Sequence, residues 1–196
     1  KQLKNLFASS ALLRVTSFNS FNIAVKFITS FAVSKLIALL LGPSGLTFIG
    51  NLRNALSILQ NFATGGLTKA TVKYTNETKD NHVAFQSFIS TLFVVFIFLA
   101  VLIFGIVFGF SRNLSKLIFE DPSYAYVFKL TAALLPLFGL NAFILSILNG
   151  LNRFKKVIQI NLFTHILNIL VFAYCIYSYG LSGALMAVVI VPSASL

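Results

Sequence analysis

Four cations, Lys26, Lys35, Arg53 and Lys129, stand inside long apolar stretches, and no Asp or Glu accompanies them there. A cation at the centre of a membrane-spanning helix costs about 2.5 to 3.5 kcal/mol on insertion scales. It is tolerated where it meets a partner charge or a water-filled cavity, and these stretches offer no partner charge. Ammonium and guanidinium groups held in this way suit a phosphate anion, the first as a point charge and the second as a planar fork. Depth separates the four. At about 1.5 Å rise per residue, Lys26 lies roughly 18 Å along its helix from Arg14, and Arg53 about 12 Å from the opposite surface. Lys35 and Lys129 are about two turns from helix ends, close enough for a long side chain to snorkel to the headgroups.

Polar neighbours recur at helical spacing around the two deep cations. Asn19, Asn22, Lys26, Ser30 and Ser34 form one stripe, and Arg53, Ser57, Gln60 and Thr64 form a second, widened by Asn54 and Asn61. Residues three and four apart share one helix face, so each stripe is a continuous polar line on an otherwise apolar helix. Single Ser or Thr residues can bond backbone carbonyls or glue helices together. A stripe containing Lys or Arg needs water or a ligand. The expected anion-binding residues are therefore Lys26, Arg53 and Lys35, with Asn22, Ser30, Ser57 and Gln60 lining the cavity. Lys35 is nine residues from Lys26 and half a turn out of phase, so both reach one cavity only if the helix bends. A weaker stripe, Asn161, His165 and Asn168, reads as hydrogen-bonded packing ahead of a proton relay. His82 falls in a polar loop, and the single Cys175 reads as a buried structural thiol. No nucleophile–base pair, carboxylate pair, phosphate-binding glycine loop or metal-ligand spacing is present in the sequence, so no enzyme, cofactor or metal is implied.

The elements that must position these residues follow from composition. The chain is 58% hydrophobic and 10% charged, and Phe supplies 22 of its 196 residues, whereas soluble domains are roughly 25% charged. A soluble protein of this size would expose large apolar patches; a bilayer removes that difficulty. A spanning helix needs about 20 residues, and runs of that kind occupy residues 15–41, 46–66, 85–110, 124–148 and 157–179, with a sixth starting at 183 and still apolar at Leu196. The run 85–110 carries no charge. Between the runs stand turn signals: Gly42-Pro43-Ser44-Gly45, Asp121-Pro122-Ser123, Asn149-Gly150, and residues 180–183. The expected fold is an all-α membrane bundle of about six helices with a wet interior.

The net charge of +11 would point to nucleic acid in a soluble domain. Here the cations cluster in alternate connections, which excludes that partner. Lys1, Lys4 and Arg14, then Lys69, Lys73 and Lys79, then Arg153, Lys155 and Lys156 fall on one side, with Glu77 and Asp80. The opposite connections hold only Arg112 and Lys116, balanced by Glu120 and Asp121. The positive-inside rule then places the N-terminus in the cytoplasm.

Within this frame, Val25-Lys26, Ser34-Lys35-Leu36-Ile37-Ala38, Leu41-Gly42-Pro43-Ser44-Gly45-Leu46, Gly50-Asn51-Leu52-Arg53-Asn54, Gly65-Gly66 and Val72-Lys73-Tyr74-Thr75 follow one another in order. Together they resemble the first two helices of Wzx-type O-antigen and enterobacterial common antigen translocases. Those proteins belong to the multidrug/oligosaccharidyl-lipid/polysaccharide flippase superfamily. The resemblance covers residues 20–77; beyond them only the pattern of runs agrees. It implies two six-helix lobes around a central cavity, alternating access, and transfer of a saccharide on undecaprenyl pyrophosphate across the bacterial inner membrane in lipopolysaccharide biosynthesis. It also implies that Lys26 and Arg53 meet the pyrophosphate and that a polysaccharide polymerase is a candidate partner. Such proteins usually carry about twelve spans, so residues 1–196 correspond to the N-terminal lobe, with a truncated sixth helix. A second lobe or a second copy would complete the cavity. A multidrug exporter of the same superfamily would need acidic groups in place of Lys26, and a non-transporting scaffold would use the stripes only as helix–helix glue.

Overall fold

Among the described residues four helices are long and apolar enough to cross a bilayer, and two of them are broken by a glycine and fold back on themselves. The computed structural model describes the backbone of residues 2–193 and the side chains of residues 20–193. Lys1, the side chains of Lys4, Arg14 and Asn19, and residues 194–196 of the last apolar run lie outside the described residues. The elements are α1 (Gln2–Ala63), α2 (Thr68–Thr78), α3 (His82–Gly109), α4 (Ser111–Phe119), a 3-10 turn Pro122–Tyr124, α5 (Ala125–Gly150) and α6 (Phe154–Ser193), and the described residues contain no strand. The chain is an all-α, multi-pass membrane protein.

The two breaks have a covalent cause. Gly42 adopts φ 71°, ψ −172° and Gly180 φ 56°, ψ −133°, a region open essentially to glycine alone. Pro43 follows the first break, where a missing N–H and a fixed φ suit the first residue of a new helix. An unbroken helix of 62 residues would extend roughly 93 Å. Instead Ser30 and Gln60, on opposite sides of Gly42, line one cleft. In α6 the return is tight: a Cβ on Gly183 would overlap the carbonyl of Cys175. Residues 15–41 and 46–63 of the expected spans thus fall on the two sides of Gly42 in α1, and 157–179 and 183–193 on the two sides of Gly180 in α6.

The returning limb of α6 sits at the centre of the packing. Gly183, Ala184, Ala187 and Ser193 let it approach its neighbours closely, and Leu185 and Val188 are buried among them. Between apolar helices in lipid, such small residues and close contact replace the hydrophobic drive available in water. Val33 and Ile37 from the first limb of α1, Leu52 and Leu56 from the second, and Phe128 and Ala132 of α5 complete this core. Ser193 Oγ donates to Leu134 O at 3.4 Å, and Asn141 Nδ2 to Pro192 O at 3.5 Å, tying the end of α6 to α5. The outer faces are apolar and uncovered, with Phe27 and Leu39 each 74% exposed, as lipid-facing surfaces must be.

Two connections read as loops in the sequence are helices. α2 buries Thr71 and Thr75 against the end of α5, where a Cβ on Gly150 would lie 2.5 Å from Thr75 Cβ and 2.8 Å from Val72 O. That contact brings Lys69, Lys73 and Lys79 to the same end of the bundle as Arg153, Lys155 and Lys156. α4 buries Ser111, Ser115 and Phe119 on one face and leaves Arg112, Lys116 and Leu117 outside. Phe119 packs against Phe48, Tyr124 and Phe128 with centroids 5.3 to 5.8 Å apart, so α4 shares its end with the turn at Gly42. The two ends therefore differ in charge as the connections predict. Gly150→Val is expected to force α2 off α5 and lower stability by about 1 to 3 kcal/mol, read as a lower melting temperature in detergent; an unchanged value would contradict the α2–α5 contact.

Candidate functional site

The polar stripes of α1 and α6 meet in one cleft of about 290 Å³. Ser30 comes from the first limb of α1, Arg53 and Gln60 from the second, and Asn168 and Phe172 from the first limb of α6. Leu56, Val188 and Val191 supply the apolar part of the wall. The hairpin at Gly42 is what sets Ser30 opposite Arg53, because it reverses the helix that carries both stripes.

Arg53 is half-buried, with its guanidinium carbon 5.7 Å from the centroid of the Phe172 ring. A cation over an aromatic face gains about 0.5 to 2 kcal/mol, more as water is excluded. The ring fixes the guanidinium without neutralising it. No carboxylate lines the cleft, and among the described residues Arg53 forms no ion pair. Its donors remain available to an external anion. Asn168 Oδ1 is buried with no protein hydrogen-bond partner, so the cleft adds an acceptor for a hydroxyl or amide donor beside the guanidinium.

The polar line continues beyond the cleft. Lys26 lies one turn before Ser30 on the same limb and is exposed, within electrostatic range of His165, three residues before Asn168. Asn22, a further turn along, also holds a buried Oδ1 with no protein partner. Of these three, Ser30 lines the cleft, and Lys26 and Asn22 lie beyond it. His165 is half-buried three residues before Asn168 on the same limb. The stripe of α6 belongs to the same polar surface as that of α1, which its three residues alone did not reveal.

Other expected residues are not brought together. Lys35 and Ser57 are exposed and line neither this cleft nor its neighbours. Asn54 turns to the other side of its limb, where with Asn51 it lines a cleft of about 530 Å³ against Leu114 and Leu117 of α4. Thr64 faces α3 and α5, and its hydroxyl donates to Gln60 O at 3.1 Å. The second stripe is thus divided among three neighbours. Phe172 was missed, since an apolar aromatic inside a spanning helix carries no sign of its partner.

A family model described as polysaccharide biosynthesis protein matches residues 36–194. The chain belongs to that family. The match takes in Arg53, Gln60, Asn168 and Phe172 of the cleft, while Lys26 and Ser30 precede it. No curated protein and no solved structure matches the chain. In this polysaccharide biosynthesis protein the cleft sets an unpaired guanidinium beside amide and hydroxyl side chains.

Proposed function

We propose that this polysaccharide biosynthesis protein forms one lobe of a flippase, a transporter and not an enzyme. It carries an oligosaccharide linked to undecaprenyl pyrophosphate from the cytoplasmic to the periplasmic leaflet of a bacterial inner membrane. The observation that carries the reading is the convergence of Arg53, Ser30, Gln60 and Asn168 in one cleft without a carboxylate. Membership of a polysaccharide family supplies the saccharide; the unpaired guanidinium supplies a reason for a phosphate-bearing carrier. Counting each glycine-broken helix as two crossings gives six, and the lysine-rich end lies in the cytoplasm with the N-terminus. A second lobe or a second copy faces the exposed Lys26 side, and alternate opening of the shared cavity moves the headgroup.

A cationic drug would meet Lys26 and Arg53 as like charges, which supports the saccharide carrier over a multidrug exporter. The test is Lys26→Gln in the full-length gene, expressed at native level in a strain whose surface saccharide depends on it. Surface display is expected to fall at least tenfold while membrane insertion is retained. Normal display would remove Lys26 from the transport path, and saturable loss of drug susceptibility in place of a display defect would favour the exporter.

A further inference from the structure

A second cationic cleft lies at the opposite end of the bundle from α2, and the site described above does not use it. It measures about 640 Å³ and is walled by Phe108 and Gly109 at the end of α3, Ser111 and Arg112 at the start of α4, and Lys129 near the start of α5. We propose that it binds a phosphate group carried on a lipid.

Two cations from separate helices converge there, and no carboxylate lines the space. Glu120 and Asp121 occupy the adjoining turn, yet neither pairs with Arg112 or Lys129 among the described residues. Asp121 is committed locally: its Oδ1 accepts from Ser123 N at 2.8 Å and from Ser123 Oγ at 2.5 Å. Lys129 Nζ stands 5.9 Å from the centroid of the Phe108 ring, which holds the ammonium over the cleft instead of leaving it to trail into solvent. Depth agrees with a headgroup. α3 ends at Gly109 and α5 begins at Ala125, so Lys129 is about 6 Å inside the helix end at about 1.5 Å per residue. Lys116 on α4 also lies at this end, while Lys69, Lys73, Lys79, Arg153, Lys155 and Lys156 gather beside α2 and the α5–α6 turn. Arg112 and Lys129 meeting in one cleft give a fork and a point charge, the pair of geometries that grips a phosphate. The phosphate belongs either to a bulk phospholipid or to a polyprenyl pyrophosphate, and the chemistry of the cleft is the same for both.

The test uses the purified chain in a neutral maltoside detergent, in the Arg53→Gln background so that the other cleft does not contribute. Probes are phosphatidylglycerol, farnesyl pyrophosphate, and diacylglycerol as the phosphate-free control, with adducts counted by native mass spectrometry and affinity read from thermal shift. Arg112→Gln with Lys129→Gln is expected to weaken binding of the phosphate-bearing probes at least tenfold. Lys116→Gln on α4, and the charge-keeping exchange Arg112→Lys with Lys129→Arg, are expected to stay within about threefold. Farnesyl pyrophosphate displacing phosphatidylglycerol at equal or lower concentration assigns the site to a polyprenyl pyrophosphate; failure to displace assigns it to membrane lipid, and both uphold the phosphate site. Equal affinity in the parent and the double glutamine variant, or equal retention of diacylglycerol, overturns it. Should the double variant fold poorly, Lys129→Gln against Lys129→Arg decides by the same criterion.

Discussion

Arg53→Gln is expected to weaken binding of a pyrophosphate-bearing lipid by about 10- to 100-fold, the equivalent of roughly 1.4 to 2.8 kcal/mol. Hydrogen bonds to charged groups contribute about 1.5 to 3 kcal/mol, and Arg53 presents its donors in a cleft with no competing carboxylate. Glutamine keeps one amide donor group and much of the stem, so the loss measures charge and the fork more than volume. Arg53→Lys separates those two, since it restores the charge without the planar geometry. An affinity between those of the parent and Arg53→Gln is expected. The measurement is thermal-shift titration of purified protein with farnesyl pyrophosphate in neutral detergent, with Arg112→Gln and Lys129→Gln present in every variant so that the second cleft does not contribute. Arg53→Gln binding as tightly as the parent would remove the guanidinium from the anion site. Phe172→Leu is a companion change: it keeps the wall apolar and takes away the ring 5.7 Å from the guanidinium. A smaller, about two- to fivefold, loss is expected from it, in keeping with a contact of about 0.5 to 1 kcal/mol.

The second large effect concerns stability. Gly183→Val should leave little monodisperse protein. A Cβ at this position would overlap the carbonyl oxygen and carbon of Cys175 and lie 2.9 Å from Tyr179 Cβ. The first two obstacles are backbone, which cannot swing aside as a side-chain tip can. Gly183 lies in the buried limb that contacts α1 and α5, so opening the hairpin to admit a side chain displaces the centre of the core. Overpacking commonly costs about 1 to 3 kcal/mol and occasionally more, and here the upper end or beyond is expected. Size-exclusion chromatography of the detergent extract and the melting temperature are the readouts. Gly105→Ala is the control, because a Cβ there meets nothing within 4 Å. A Gly183→Val protein that melts with the parent would mean that the two limbs of α6 do not pack as described.

The long apolar runs were legible because membrane insertion depends on composition summed over about 20 residues, which needs no tertiary partner. Gly42-Pro43 marked its break for an equally local reason: the backbone conformation there excludes a Cβ. Helical phase grouped Arg53 with Gln60, which line one cleft, but also with Asn54 and Thr64, which face other neighbours. The run 85–110 overlaps α3 at His82–Gly109, whereas α1 begins at Gln2, well before residue 15.

α2 and α4 were not legible as helices. They span 11 and 9 residues, short of what holds a helix together alone in water, and α2 is rich in Thr and Asn, which favour other conformations. Burial of Thr71 and Thr75 on α5, and of Ser115 and Phe119 beside the Gly42 turn, fixes them. Those contacts exist only once the bundle has formed.

The sequence by itself determined that this chain crosses a membrane several times, that its basic connections alternate, and that cations without an acidic neighbour stand within apolar runs. Each of these depends on a run of neighbours along the chain. Only the tertiary structure decided which of the polar residues meet. It joined Arg53 to Ser30, Asn168 and Phe172, turned Asn54 toward α4, left Lys35 outside, and set Lys129 beside Arg112. Helical phase places a residue on a face to within a fraction of a turn. The partner of that face depends on how two glycine hairpins reverse the chain and on how closely small residues let the limbs approach, neither of which any single helix encodes.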